Sequence, residues 1–86
     1  MDMHNLIHMA NQIGSFFEAM PEQDEALIGI ASHLQHFWEP RMRSQLLEYV
    51  DAENGKDINP LVLSAIRVHR NIIGIPETDM NRNHTN

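Results

Sequence analysis

Apolar residues recur at steps of three and four positions along the first part of the chain. They are Leu6, Met9, Ala10, Ile13, Phe16, Phe17 and Met20. This spacing places side chains on one face of an α-helix, because a helix repeats about every 3.6 residues. Pro21 comes next and cannot continue a helix. The pattern therefore predicts a first helix that ends before Pro21.

A second apolar stripe follows a short acidic segment. Glu22, Asp24 and Glu25 suit a first helical turn, because the partly positive amino end of a helix favours carboxylates. The apolar positions after them are Leu27, Ile30, Ala31, Leu34, Phe37 and Trp38. Pro40 disfavours helical geometry at Glu39, so we predict that the second helix ends there and that Pro40 begins the third.

The remaining apolar positions predict two further helices. The third helix carries Met42, Leu46, Tyr49 and Val50. It is predicted to end at a polar turn that contains the Asn54-Gly55 pair. Asn59 can cap a fourth helix that has Pro60 at its first position. This last helix is predicted to continue through the apolar residues 61–73, up to the glycine at position 74.

The predicted fold class is all-α, a small compact antiparallel bundle of about four helices. Short connections make successive helices neighbours in such a bundle. A chain of 86 residues fills one hydrophobic core, so residues 1–75 are predicted to form a single helical domain. Residues 76–86 are polar and are predicted to be a disordered, mobile tail.

The charge balance narrows the classes of partner. Twelve acidic and six basic residues give a formal net charge of −6, which disfavours nucleic acid and anionic membranes as partners. The chain has no cysteine, and therefore no disulfide, thiolate metal site or cysteine nucleophile. No apolar run has the roughly 20 residues that span a bilayer, and the first residues lack the pattern of a signal peptide. We therefore expect a cytoplasmic protein.

Histidine spacing raises the question of metal binding. His4 and His8 lie four residues apart, and His33 and His36 lie three apart, on predicted helices. Zinc requires three or four ligands, and the first pair faces away from the apolar stripe without a neighbouring carboxylate or thiol. No serine lies in a recognisable catalytic setting. We therefore predict no catalytic, cofactor-binding or metal-binding residue on this chain.

The fourth predicted helix has more apolar surface than one buried face requires. On a helical wheel, a core stripe is formed by Leu61, Ala65, Val68 and Ile72. That stripe is widened to nearly half of the circumference by Val62, Ile66, His69 and Ile73. Two interpretations are open: either the helix is central in a small bundle, or the second group forms an interface with a partner.

Arg41 and Arg43 stand at the predicted start of the third helix, where the helix dipole disfavours a cation by roughly 0.3 to 1 kcal/mol. Two positions correspond to about 200° on a helix, so Arg43 borders the apolar face whereas Arg41 points away from it. Glu39, Glu48 and water can satisfy both cations. Alternatively, a carboxylate or carbonyl of a partner protein offsets the local cost, since the arginine fork suits such pairing.

Several segments of the chain together resemble one family. They are NLIHMANQIGSFF, the proline and acidic turn after it, GIASHLQHFWEPRMRSQLLEYV and INPLVLSAI, which span Asn5 to about Ile66. With these segments, and with the pairing of NQIGSFF and FWEPRMR above all, the chain resembles the delta subunits of bacterial NAD-dependent formate dehydrogenases. The AENGKD loop and the residues from Gly74 onward lie outside the resemblance.

The resemblance implies a non-catalytic accessory subunit of a cytoplasmic formate dehydrogenase complex. Such a subunit is expected to bind the catalytic subunit and to support assembly, cofactor insertion or stability of the complex. The molybdenum or tungsten, the pterin, the iron–sulfur clusters, the FMN and the NAD site are then expected on the larger subunits. Homodimers of the isolated chain are also conceivable, because a surface meant for a partner can pair with itself.

The apolar surplus and the two arginines suggest where such a partner would bind. The predicted partner interface consists of Phe37, Trp38, Pro40, Arg41, Met42, Arg43, Val62, Ile66, His69 and Ile73. Trp38 has an alternative role as a core residue. The residues also leave a second function open, a free-standing homo-oligomeric helical scaffold or regulatory domain with no enzymatic activity.

Overall fold

The described part of the chain is a bundle of four helices with a short fifth. A computed structural model describes residues 2–74, and in that range it contains no strand. The helices are α1 (Met3–Phe17), α2 (Gln23–Phe37), α3 (Pro40–Glu53), α4 (Pro60–Val68) and α5 (Arg70–Ile73). The predicted all-α bundle of about four helices is confirmed. The predicted tail at residues 76–86 lies outside the described residues.

Two predicted helix starts are confirmed. Pro40 is the first residue of α3, where its missing N–H costs no helical hydrogen bond. At the start of α4, Asn59 Oδ1 accepts a hydrogen bond from the backbone N–H of Leu61 at 2.8 Å, and Pro60 is the first helical residue. Local chemistry, rather than packing, therefore sets both of these boundaries.

The core is built around α2, which contacts each of the other four helices. Among residues 2–74, the largest fully buried side chains are Leu6, Ile30, Leu34, Leu46, Val62, Ile66 and Ile73. Burying a side chain of this size contributes roughly 1.5 to 3 kcal/mol to folding. Each of the five helices therefore contributes at least one large aliphatic side chain to a common core.

A glycine sets the close approach between α1 and α4. A Cβ atom on Gly14 would lie 2.7 Å from Cγ2 of Val62 and 2.7 Å from Cγ of Asn59. Next to this contact, Asn11 donates from Nδ2 to the carbonyl of Asp57 at 2.9 Å and accepts from the backbone N–H of Asn59 at 2.8 Å. The amide of Asn11 therefore holds the residues before α4 against α1.

The fourth helix differs from the prediction in two ways. It ends at Val68 and the chain resumes as α5 after a non-helical residue, His69, although no proline or glycine marks that break. Its buried face is also rotated, because Val62 and Ile66 are fully buried whereas Val68 is 61% exposed. Periodicity shows that two adjacent apolar arcs exist, whereas contacts with the other helices, such as that of Val62 with Gly14, decide which arc faces the core.

An exposed ion pair connects the short fifth helix to α3. Arg70 donates from Nη1 and Nη2 to the two carboxylate oxygens of Asp51, at 3.0 and 2.7 Å. These hydrogen bonds and the positive charge of Arg70 lower the pKa of Asp51 from its ordinary value, and the carboxylate raises the pKa of Arg70. Both side chains are well exposed to solvent, so the pair contributes little to stability.

Candidate partner-binding surface

An open groove runs between α1 and α2 on the outside of the bundle. We call it the α1–α2 groove, and its volume is about 630 Å³. It is lined by Met9, Gln12, Ile13, Phe16, Phe17, His33, Phe37 and Trp38. The two helices meet closely beside it, because a Cβ atom on Gly29 would lie 2.5 Å from Cε1 of Phe17. The absence of a side chain at Gly29 therefore lets the Phe17 ring approach the backbone of α2 closely.

Two phenylalanine rings on the rim of the groove are largely exposed. Phe16 is 73% exposed and Phe37 is 75% exposed. The Phe16 ring meets that of Phe17 edge to face, with centroids 5.2 Å apart, and the Phe37 ring lies 4.8 Å from the imidazole of His33. Aromatic side chains that expose most of their surface next to an apolar cavity are typical of binding surfaces.

The lining of the groove carries no formal charge, and neither do α1 and the part of α2 that follows its first turn. The sequence has no Asp, Glu, Lys or Arg between Met3 and Phe17 or between Ala26 and Trp38, although 21% of the chain is charged. The only ionisable side chain of the lining is His33. Depletion of charged residues together with enrichment of Phe, Met and Trp is the composition of interface cores. The α1–α2 groove is therefore a candidate site for another polypeptide.

The structure divides the predicted interface into surface and core residues. Phe37 and Arg41 are exposed, and Pro40, Met42 and His69 are partly exposed. The other members are buried within the chain itself and are not on its surface: Trp38, Arg43, Val62, Ile66 and Ile73. The apolar arc of α4 that carries Val62 and Ile66 fills the centre of this small bundle. The partner contact of the exposed members stays a prediction.

Trp38 takes the alternative role that the sequence left open. It is 5% exposed and ends α2, with its backbone N–H bonded to the carbonyl of Leu34 at 3.0 Å. Its indole belongs to the core cluster and also closes one end of the α1–α2 groove. Trp38 is therefore a core residue whose side chain also forms part of the groove wall, and it does not project from the surface.

The two arginines lie on opposite sides of α3, as the spacing predicted. Arg41 is exposed, and Arg43 is 5% exposed and donates from Nη1 to the carbonyl of Ile73 at 3.1 Å. The Nε of Arg43 has no hydrogen-bond partner. Among the described residues, the only ion pair is the one between Asp51 and Arg70, so neither Glu39 nor Glu48 neutralises Arg43 there. A partner was not needed to explain Arg43, because an internal carbonyl accepts its hydrogen bond.

The histidines do not converge with other metal-binding side chains in the described range. His4 and His8 are exposed on α1, on the side predicted, and His36 is exposed on α2, where Nδ1 lies 2.8 Å from the carbonyl of Ser32. Within residues 2–74 no group of three or more His, Asp or Glu side chains is arranged to hold a metal ion. In the same range, no helix has the length and apolarity needed to cross a bilayer.

The sequence did not predict that residues of α1 line a surface groove. Met9, Ile13 and Phe16 were assigned with Leu6 and Ala10 to a single buried stripe. Adjacent phenylalanines at positions 16 and 17 point about 100° apart on a helix, so the apolar face of α1 is wider than one narrow stripe. Together with the long interval without charged residues, this pair was the available signal for a second apolar face on α1.

The fold and this surface define a class of protein, the small helical bundle with an uncharged apolar groove on its outside. The particular family follows from comparison with family models. The model of the NADH-dependent formate dehydrogenase delta subunit family, FdsD, matches residues 5–66. The chain belongs to this family, and the resemblance seen in its sequence is confirmed. No curated protein and no solved structure matches the chain.

Proposed function

We infer that this chain is a non-catalytic accessory subunit of an NADH-dependent formate dehydrogenase, which binds the catalytic subunit. There it supports assembly, cofactor insertion or stability of the complex. The observation that carries this proposal is the family match over residues 5–66. The exposed and uncharged α1–α2 groove supports it, because a small bundle gains nothing for its own stability from Phe16 and Phe37 on the outside.

In this proposal the redox chemistry takes place on other subunits. The complex oxidises formate and passes electrons to NAD through a molybdenum or tungsten centre with its pterin, iron–sulfur clusters and FMN. This chain has no cysteine to bind an iron–sulfur cluster, and its described residues offer no cluster of metal-binding side chains. Its contribution is therefore a binding surface.

The exposed members of the predicted interface belong to the same proposed surface. Phe37 lines the α1–α2 groove, and Pro40, Arg41 and Met42 follow it directly in the chain. An exposed arginine beside aromatic and methionine side chains is a common arrangement at the edge of an interface. In this arrangement Arg41 pairs with a carboxylate or carbonyl of the catalytic subunit at the rim of the apolar contact.

Deletion of the gene tests the proposal directly. We expect the deletion strain to lose most formate-dependent NAD reduction, and a plasmid copy of the wild-type gene to restore it. Metal analysis of the purified large subunits then separates the two roles. A low molybdenum or tungsten content indicates cofactor insertion, whereas normal metal content with faster loss of activity on storage indicates stabilisation.

Normal activity together with normal metal content in the deletion strain would contradict the proposed function. That result would favour the free-standing helical scaffold. Co-purification provides an independent check, since a tagged copy of this chain should retain the catalytic subunit through washes at about 0.5 M salt. An apolar contact persists at such ionic strength, whereas exposed charge pairs are screened.

A further inference from the structure

We propose that the α1–α2 groove receives an uncharged, convex apolar ridge of the catalytic subunit, such as the hydrophobic face of one helix. This inference rests on the proposed function and adds the binding site and the chemistry of the occupant. Its geometric basis is the cavity of about 630 Å³ between the exposed rings of Phe16 and Phe37, with Trp38 at one end.

The electrostatic character of the groove determines which partner surface it accepts. No Asp, Glu, Lys or Arg lines the groove, so a charged side chain placed in it would lose its hydration without gaining an opposite charge. The groove therefore disfavours charged occupants. The polar side-chain groups of the lining are the amide of Gln12, the imidazole of His33 and the indole N–H of Trp38, which can bind backbone or hydroxyl groups. A complementary surface is therefore apolar, with few polar atoms.

The shape of the rest of the chain argues against a second copy as the occupant. A concave site requires a convex ridge, and a copy would have to supply one from its own exposed apolar side chains. Apart from the groove rim, the large apolar residues exposed within residues 2–74 are Met20, Ile28 and Val68. Met20 lies in the connection before α2, Ile28 on α2 and Val68 on α4, so no described helix carries two of them at the spacing of a helical ridge.

The chemistry of the carboxy-terminal residues argues against an occupant from the same chain. Residues 75–86 contain Glu77, Asp79 and Arg82, and their large apolar side chains are Ile75 and Met80, five positions apart. A segment of this composition cannot bury a continuous apolar stripe in an uncharged groove. The occupant consequently comes from another polypeptide.

A carboxylate introduced on the rim tests whether the catalytic subunit binds in the α1–α2 groove. Phe16→Glu and Phe37→Glu each place a carboxylate at a position that is about three-quarters exposed, so the fold is expected to remain intact. Val68→Glu is the matched control, because it makes the same change at an exposed apolar site outside the groove. Affinity for the purified catalytic subunit of the same formate dehydrogenase is measured by titration. We expect at least a tenfold loss for each groove variant and less than a twofold change for the control.

The outcomes separate the groove from the proposed function. If the wild-type protein and the groove variants bind the catalytic subunit equally well, the α1–α2 groove is not the binding site, whereas the proposed function is unaffected. Wild-type protein that does not bind would reject the proposed function. If sedimentation shows a wild-type dimer that Phe37→Glu dissociates, and that variant still binds the catalytic subunit, the occupant is a second copy. Should circular dichroism show either Glu variant to be unfolded, Phe16→Gln and Phe37→Gln replace it under the same criteria.

Discussion

Arg43 donates a hydrogen bond from Nη1 to the backbone carbonyl of Ile73 at 3.1 Å, and it does so from inside the bundle. This contact joins the first turn of α3 to α5, thirty residues later in the chain. The helix dipole disfavours a cation at that end of α3, so the arginine is explained by its long-range acceptor and not by its own helix. Ile73 stabilises the fold in two ways, because its carbonyl accepts this hydrogen bond and its side chain is fully buried in the core.

Arg43→Ala is expected to lower the free energy of unfolding by about 1 to 3 kcal/mol, because the carbonyl of Ile73 loses its partner and a cavity remains. Arg41→Ala is the matched control and is expected to change it by less than about 0.5 kcal/mol, since Arg41 is exposed. Urea unfolding followed by circular dichroism measures both values. Equal effects of the two substitutions would contradict the buried role of Arg43. Arg43→Met should cost less than Arg43→Ala, because it fills most of the space.

Asn11→Ala is expected to destabilise the protein by about 1 to 2 kcal/mol. The substitution removes the acceptor for the N–H of Asn59 and the donor to the carbonyl of Asp57, both at the start of α4. Gln12→Ala, one residue later on an exposed position of α1, provides the control for helix propensity. Thermal unfolding compares the two variants. A melting temperature for Asn11→Ala as high as that of the control would show that the side-chain bridge does not hold α4.

Gly14→Ala should destabilise the protein although alanine is the better helix former by about 1 kcal/mol. Its methyl group would lie 2.7 Å from Val62 and from Asn59, and α4 would have to move away from α1 to admit it. We expect a net loss of about 1 to 3 kcal/mol in denaturant unfolding. Ser15→Ala places an alanine at an exposed neighbouring position of the same helix and should be neutral or slightly stabilising. A stabilised Gly14→Ala variant would refute the close α1–α4 contact.

The ion pair between Asp51 and Arg70 predicts a small dependence of stability on pH. Folding lowers the pKa of Asp51. The ion pair therefore contributes fully to the free energy of unfolding above the ordinary aspartate pKa of about 3.9, and this contribution is lost as the pH falls through the lowered pKa. The difference in unfolding free energy between wild type and Asp51→Asn should therefore be present near neutral pH and vanish in acid. Glu53→Gln, an exposed site on the same helix, is the control. A difference that stays constant down to acid pH would contradict the pairing.

Much of the fold could be predicted from local patterns in the chain. Pro40 and the Asn59-Pro60 pair mark helix starts because their preferences act within one turn, and both boundaries are where they were predicted. The opposite placement of Arg41 and Arg43 follows from helix geometry alone and is also confirmed. The family could be recognised for a similar reason, since its motifs are continuous segments of sequence.

The candidate site was predicted only in part. Phe37 is on the surface as expected, but Trp38 and Arg43, its neighbours in the same motif, are buried. A motif shows which residues stand together in the chain, whereas burial depends on what the rest of the bundle packs against them. The Phe16 side of the α1–α2 groove was missed because the apolar residues of α1 were assigned to one stripe instead of two.

The sequence by itself determined the helical class, the main helix boundaries, the family and the absence of charge along α1 and most of α2, because each of these is a property of neighbouring residues. Only the tertiary structure decided which apolar arc of α4 is core, that the chain breaks at His69, and that a carbonyl of α5 accepts the hydrogen bond of Arg43. Those outcomes depend on contacts between distant segments, such as Val62 against Gly14, whose energies no local pattern contains.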